Sequence, residues 1–524
     1  MSTVLDEVSL EGAPELASLM SASVRAEPEE PIVLALDIGT SGVRALLFDG
    51  RGNEIPDSLT TLASDLYPTL RGGVDTDADA LVELVTSAVD ILLERAGEQR
   101  IDYVAIACFW HSLVGIDDQG RAITPLLGWA DTRAAYFAEE LRTKLDEPAV
   151  HVRTGCRFHP SYWPAKFLWL QSERGEFFDK SVRWLSFTDY LALRLFGETT
   201  TSVSMASATG LLDQGKCDWD GELLKTCGIA RERMPMIAQP GRTYRLRNEY
   251  ARRWPPLDRA AWLTAVGDGA TNNIGAGCVT RERAALMIGT SGAMRVMFTG
   301  DPPASLPREL FYYRVDRDRV VIGGALSDGG GLYRWMKETL LPDHLDDELD
   351  REIGAMKPDG HGLTILPFWS GERSTGWATS ARGTIIGLTS RTQPSEILQA
   401  AMEAVCYRFA LLARALDAIA PKAAIIASGN ALLSSRAWSR MIADVLGRPV
   451  KLSAAREASC RGSALLALEA IGKIDNLETT RAEFGAVFEP DLTRHKIYAR
   501  AIERQQELYE KLISHRDTES LSQQ

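Results

Sequence analysis

Two stretches of the chain carry the same alternation of apolar and polar positions. Residues 34–48 read LALDIGTSGVRALLF and residues 284–298 read AALMIGTSGAMRVMF, 250 residues apart, with eight of fifteen positions identical. In each, an apolar run meets a Gly-Thr-Ser-Gly turn and resumes as a second apolar run. The pattern predicts a β-hairpin whose turn amides and hydroxyls suit an anion. Repetition on this scale also predicts two halves built alike. The copies part at one informative position: Asp37 of the first becomes Met287 in the second, so only the first hairpin carries a carboxylate in line with its turn.

Beyond each hairpin the pattern alternates between strand and helix periods. Residues 78–96 (ADALVELVTSAVDILLERA) space their apolar side chains for one face of a helix, and residues 103–108 follow as a short apolar strand. The second half echoes this with a helix over 394–418, a strand over 423–427, a helix over 435–446 and a late helix of that half over 462–471. A strand over 262–265 leads to Asp268, which opens another helix, and the halves divide near 278–283. Both halves therefore read as α/β. A chain of 524 residues, 45% of them hydrophobic, is long enough for two cores.

Charge and cysteine usage narrow the function classes. The formal net charge of -13, without a Lys/Arg-rich run, excludes a phosphate-backbone stripe, so no nucleic-acid partner is expected. Seven cysteines, an odd number with no CxxC pair, fit a reducing compartment better than a disulfide framework or zinc site. The first thirty residues hold seven acids against the single base Arg25, which is unlike a secretory signal. They read as an acidic mobile leader, with a short helix over 10–20 as the alternative. No apolar run reaches the roughly 18 to 20 residues of a membrane helix, so a cytoplasmic protein with no membrane partner is expected.

Candidate chemistry clusters at the turns. A nucleotide–metal site needs a carboxylate pole and two sets of phosphate-binding backbone amides, and the hairpin pair offers both. Asp268, within Val266-Gly267-Asp268-Gly269, follows a strand and starts a helix, where a carboxylate can take a proton from an attacking hydroxyl. A plain helix N-cap is the competing reading.

A further motif gives these residues a family likeness. Gly383, Ile385, Gly387 and Leu388, then seven residues, then Glu396, Ile397, Ala400, Ala401, Met402 and Glu403 resemble the signature of the FGGY carbohydrate kinases. Residues 371–373 and 381–383 share the likeness, which covers roughly 32–472. The resemblance implies an α/β fold of two actin-like ATPase (ribonuclease H-like) lobes with an interlobe cleft for ATP and sugar. It implies an N-terminal lobe over 31–279 behind the leader 1–30, a C-terminal lobe over 280–504 and a tail over 505–524.

The same resemblance assigns roles. Asp37 would hold Mg2+ through water, with Asp268 as the second carboxylate near the metal and the catalytic base. Gly39, Thr40 and Ser41 would bind phosphate oxygens, Arg44 would neutralise developing charge, and Gly289, Thr290 and Ser291 would cradle the outer phosphates. Gly429 and Asn430 stand where the family's adenosine loop usually has paired glycines; Asn tolerates a left-handed backbone, so the loop shape is expected to survive. On the sugar side, His111-Ser112-Leu113 and Trp129-Ala130-Asp131-Thr132-Arg133 resemble the gluconokinase members more than the xylulokinases, as do residues 153–160 and 204–211. Trp110 stands where Met is usual. His111 and Asp131 offer a polyol both donors and acceptors. Arg133 has two readings of equal weight, a bidentate partner for a sugar-acid carboxylate or a structural partner of Asp131.

The implied activity is phosphorylation of the terminal hydroxyl of a sugar acid, D-gluconate to 6-phosphogluconate, with ATP and Mg2+. A ketose such as xylulose or ribulose is the alternative. A non-kinase actin-like ATPase is a different class, disfavoured because such a protein has no use for the sugar-side motifs. The expected partner is a small sugar or sugar acid, with a homodimer as an open option.

Overall fold

Both hairpins form where the repeated pattern puts them. In this computed structural model, which describes residues 29–64, 72–97, 99–480 and 482–514, Val33–Gly39 pairs with Gly42–Phe48 and Arg283–Ile288 pairs with Gly292–Thr299. The leader up to residue 28, including the helix considered over 10–20, lies outside the described residues. Asp37 stands opposite Arg44 in the first register, and Met287 opposite Ala293 in the second.

The duplication extends into the sheets. Val33–Gly39 lies parallel to Tyr103–Cys108, and Arg283–Ile288 lies parallel to Ala424–Ser428. Among the described residues each hairpin thus heads one of two seven-stranded mixed sheets. Ala78–Ala96 covers the first sheet with Leu81, Val85, Val89 and Leu92; its N-terminus is capped by the Asp77 carboxylate, which accepts from the amides of Asp79 and Ala80. Pro394–Leu416 covers the second with Leu398, Val405, Phe409 and Leu412, fully enclosed side chains whose truncation to Ala would cost roughly 2–5 kcal/mol each. The helix expected over 435–446 runs Arg436–Leu446 with Ser435 as its cap.

One late helix packs differently from its place in the sequence. The segment expected over 462–471 is a helix over Ala458–Ala470, but its Cys460, Ala464, Ala467 and Leu468 lie on Val33, Ala35, Leu46, Phe48 and Ala105 of the first sheet. Its small side chains give a flat face that fits against strands, so it closes the side of that sheet opposite Ala78–Ala96. The boundary drawn at residue 505 also falls inside a helix. Leu492–Tyr509 runs across it, with Tyr498, Ala501, Ile502, Gln505 and Tyr509 forming one continuous buried face. Residues 515–524 lie outside the described residues.

The second sheet reaches into the first half through its edge strand Phe311–Arg314. Tyr312 N donates to Gly155 O at 3.0 Å, and the Arg314 guanidinium donates to Gln214 O at 2.8 and 3.1 Å. Residues between 113 and 237 carry a third cluster around Trp163, Phe167, Trp184 and Trp219 that backs the same region. All seven cysteines are free and buried. No helix among the described residues is long and apolar enough to cross a membrane.

Candidate active site between the two sheets

Asp37 and Asp268 come together because both flank one strand. Asp37 is in register with Ala107 of Tyr103–Cys108, and Gly267, one residue before Asp268, is in register with Cys108 on its other side. The strand expected over 262–265 is interrupted: Ala261–Leu263 ends, and Val266–Gly267 resumes before the helix Asp268–Gly275. Gly267 is the N-cap and Asp268 the first helical residue, so its carboxylate is not consumed as the cap. It accepts from Gly269 N at 2.7 Å. Burial pushes the Asp268 carboxyl above its ordinary range, opposed by Arg295, Gly269 N and Arg373. Burial, reinforced by the charge of Asp268, pushes Asp37 to about 7, with Arg44 opposing.

Two groups shape the Asp268 turn. Arg295, from the second hairpin, is buried and donates to Gly269 O at 3.2 Å, and burial lowers its guanidinium to about 10. The indole of Trp110 lies so close to Gly267 that a Cβ there would stand 1.7 Å from Cε2. Trp110 Nε1 donates to Ser204 O at 3.1 Å, while Ser204 Oγ accepts from Gly267 N at 3.1 Å. One serine thereby fixes both the indole and the turn.

His111 occupies the next position in an uncommon backbone state, φ +71°. Lys166 holds it there: its buried Nζ donates to His111 O at 2.7 Å and to Gly128 O at 2.9 Å, joining the two sugar-side segments. Burial lowers this ammonium to about 7. The His111 ring has a fixed tautomer, because Nδ1–H must donate to Ala208 O at 2.6 Å, leaving Nε2 to accept from Arg373 Nη2 at 3.2 Å. Burial and Arg373 keep the ring neutral. Tyr313, from the docked edge strand, packs on Trp110 with centroids 4.9 Å apart and shares a 2.7 Å hydrogen bond with the Tyr162 hydroxyl.

A narrow cleft opens beside these groups, lined in part by Trp129, Asp131, His159, Ser370 and Arg373. Arg373 lies over the Trp129 ring at 5.2 Å. Arg133 is engaged otherwise: it pairs with both Asp131 and Asp75 and stacks on Trp169 at 4.6 Å. Of its two readings, the structural one describes its contacts.

On the phosphate side, Arg44 bridges Asp37 at 3.4 Å and Glu457 at 3.3 Å. Three backbone hydrogen bonds, from Gly329, Gly330 and Gly331 to Thr290 O, Gly289 O and Thr290 O, fasten the second turn to the start of the helix Gly330–Leu340. Gly429 meets the same hairpin at φ +90°, where a Cβ would lie 2.4 Å from Ile288 O. Asn430 begins a short helix, so the left-handed position expected of it belongs to Gly429 alone. Among the described residues the hydroxyls of Thr40, Ser41, Thr290 and Ser291 are not engaged by other protein groups, and Asp37 and Asp268 keep free oxygen lone pairs. Such a donor set fits a polyphosphate and a hard divalent cation. A second acidic group, Asp359, His361 and Glu403, is already self-satisfied: His361 accepts from Leu363 N and donates to Glu403, which Gln399, Tyr407 and Tyr498 also bind.

Arg295, Arg373, Tyr313, Lys166 and Glu457 are site residues that sequence reasoning did not single out. A signal existed for three of them: Lys166 and Arg295 are lone cations within the apolar runs YWPAKFLWL and AMRVMF, and Arg373 ends the segment 371–373 that shares the family likeness.

Comparison with known proteins bears on the family and the fold. Residues 32–275 match the N-terminal domain of the FGGY family of carbohydrate kinases, and residues 284–471 match its C-terminal domain. A gluconokinase of Bacillus subtilis is 26% identical over 471 residues, covering 87% of this chain and 91% of the relative. Two Lactobacillus acidophilus crystal structures, a ligand-bound xylulose kinase and a gluconate kinase, superpose with TM-scores of 0.84 and 0.82. Each is 25% identical and covers 92% of this chain and 98% of its own.

Proposed function

The chain belongs to the FGGY family of carbohydrate kinases, and from that premise we propose that it transfers a phosphoryl group from ATP to the terminal hydroxyl of D-gluconate, giving 6-phosphogluconate. One convergence carries the reading. The separate segments whose wording is gluconokinase-like meet: His111 bonds Ala208 O, and Ser161, bonded to His159 at the end of 153–160, donates its Oγ proton to Trp129 O. The similarity to the Bacillus subtilis gluconokinase along most of both chains supports it.

In this reading Asp268 takes the proton of the attacking hydroxyl, and its raised pKa makes the ionised form a stronger base. Thr40, Ser41, Thr290 and Ser291 bind phosphate oxygens, and Gly429 and Asn430 form the adenosine loop. Asp37 and Asp268 would hold Mg2+, which would supply positive charge against the transferring phosphoryl group when bound. Arg44, poised between Asp37 and Glu457, adds a second cation on that side. His111, Trp129 and Asp131 line the sugar side, and Trp110 shapes it from behind the base.

Phosphorylation of a ketose is the second reading, favoured by the superposition on the xylulose kinase. A coupled ADP-release assay across gluconate, xylulose, ribulose and glycerol separates them. The highest kcat/KM is expected for gluconate; a higher value for xylulose or ribulose would reject the gluconate assignment. Equal ATP hydrolysis with and without every sugar would instead indicate a non-kinase ATPase.

A further inference from the structure

We propose that Arg373, and not Arg133, is the cation that receives the carboxylate of a sugar-acid substrate. The inference rests on the sugar-acid reading above and deepens it. Arg133 is attached to a sugar-side motif, but Asp131 and Asp75 already neutralise its guanidinium. A substrate carboxylate would have to displace two anions to pair with it.

Arg373 is in the opposite condition. It is only 8% exposed, lines the cleft with Trp129 and Asp131, and forms no ion pair among the described residues. Its Nε is buried without a hydrogen-bond partner. Two carboxylates near it are otherwise committed. Asp131 belongs to Arg133, and neighbouring Glu372 is held by Arg408, Gly376 N, Ala378 N and the Tyr509 hydroxyl. What holds the guanidinium is a ring face and a neutral imidazole: Trp129 beneath it and His111 Nε2 at 3.2 Å from Nη2. These contacts orient the fork without cancelling its charge. A buried cation with an unused donor beside an open cleft is suited to a bidentate anion.

The test compares D-gluconate with D-glucitol, its neutral six-carbon counterpart, as substrate or competitive inhibitor, in wild type, Arg373→Gln, Arg373→Lys, Arg373→Ala and Arg133→Gln. Arg373→Gln should lose roughly 100-fold or more in kcat/KM for gluconate and at least about tenfold less than that for glucitol, because both ligands lose the support of His111 but only gluconate loses the ion pair. Arg373→Lys should fall between, and guanidinium ion should restore Arg373→Ala toward gluconate only. Equal losses for both ligands, or a selective loss in Arg133→Gln instead, overturn the proposal. A wild-type enzyme inactive on gluconate rejects the substrate reading and this inference together, and that result is visible before any variant is made. If the Gln and Ala variants fail to fold, the charge-conserving Lys variant carries the test: a gluconate-specific weakening supports the role and an equal one rejects it.

Discussion

Trp110 and Gly267 are a matched pair: the indole occupies the space that any side chain at residue 267 would need, and both are tied to Ser204. The turn presenting Asp268 is therefore set by an aromatic ring from the sugar side. Gly267→Ala should drive the turn and the ring apart, and a displacement near 1 Å can cost about 100-fold in rate. Steady-state kinetics should show that loss in kcat with ATP affinity changed little; unaltered kcat would refute the coupling.

Asp268→Asn keeps the shape of the side chain and removes the base. Turnover is expected to fall on the order of 10²- to 10⁴-fold, with nucleotide binding nearly intact by calorimetry. Turnover close to wild type would remove Asp268 from proton transfer.

Arg295 opposes the upward shift of the Asp268 carboxyl. Without that charge the carboxyl should hold its proton to higher pH, so Arg295→Met should move the acid limb of the kcat/KM profile upward. A downward or absent shift would show that Arg295 supports the turn by its bond to Gly269 O alone.

The buried Asp37 carboxyl has a folded-state pKa near 7 against an ordinary 3.8. The folded protein therefore binds this proton more tightly than the unfolded chain, and the associated stability, full below 3.8, is lost as pH rises toward 7. With metal chelated, Asp37→Asn should be more stable than wild type at pH above 7, by on the order of 1 kcal/mol or more. The difference should vanish in acid. The same variant should need more Mg2+ for turnover, which a metal titration reads directly.

Lys166→Met preserves bulk but leaves the carbonyl of His111 without its donor, while Gly128 O keeps the amide of Asp131 at 3.5 Å. One unsatisfied buried acceptor should lower stability by roughly 1–3 kcal/mol. Because His111 is held at positive φ, its relaxation should also raise KM for the sugar more than KM for ATP. Equal changes in both would mean only general loosening.

The parts legible in the sequence are those whose chemistry is local. A Gly-Thr-Ser-Gly turn between apolar runs specifies its own hairpin, and the helix over residues 78–96 announces its period and cap within a few turns. Asp268 was legible because strand, glycine and helix start adjoin it. Tyr313 was not, since its value to the site comes from the edge strand Phe311–Arg314, which approaches after a long separation in sequence. Arg373 belongs to a segment that the family signature flagged, but its lack of an ion pair depends on where Arg133, Arg408 and Tyr509 point. The two readings of Arg133 were equally open for the same reason, because Asp75 lies 58 residues away.

The helix Ala458–Ala470 places a constraint on biosynthesis. Val33, Ala35, Leu46, Phe48 and Ala105 are made early, yet the helix that shields them emerges more than 350 residues later, as Phe48, Ala105 and Ala458 mark. On the ribosome, the first sheet can be closed on its Ala78–Ala96 side while its other apolar side waits for most of the polypeptide. A fragment ending after the first family domain would carry that uncovered surface permanently. The halves share a repeated plan, but they mature as a single unit.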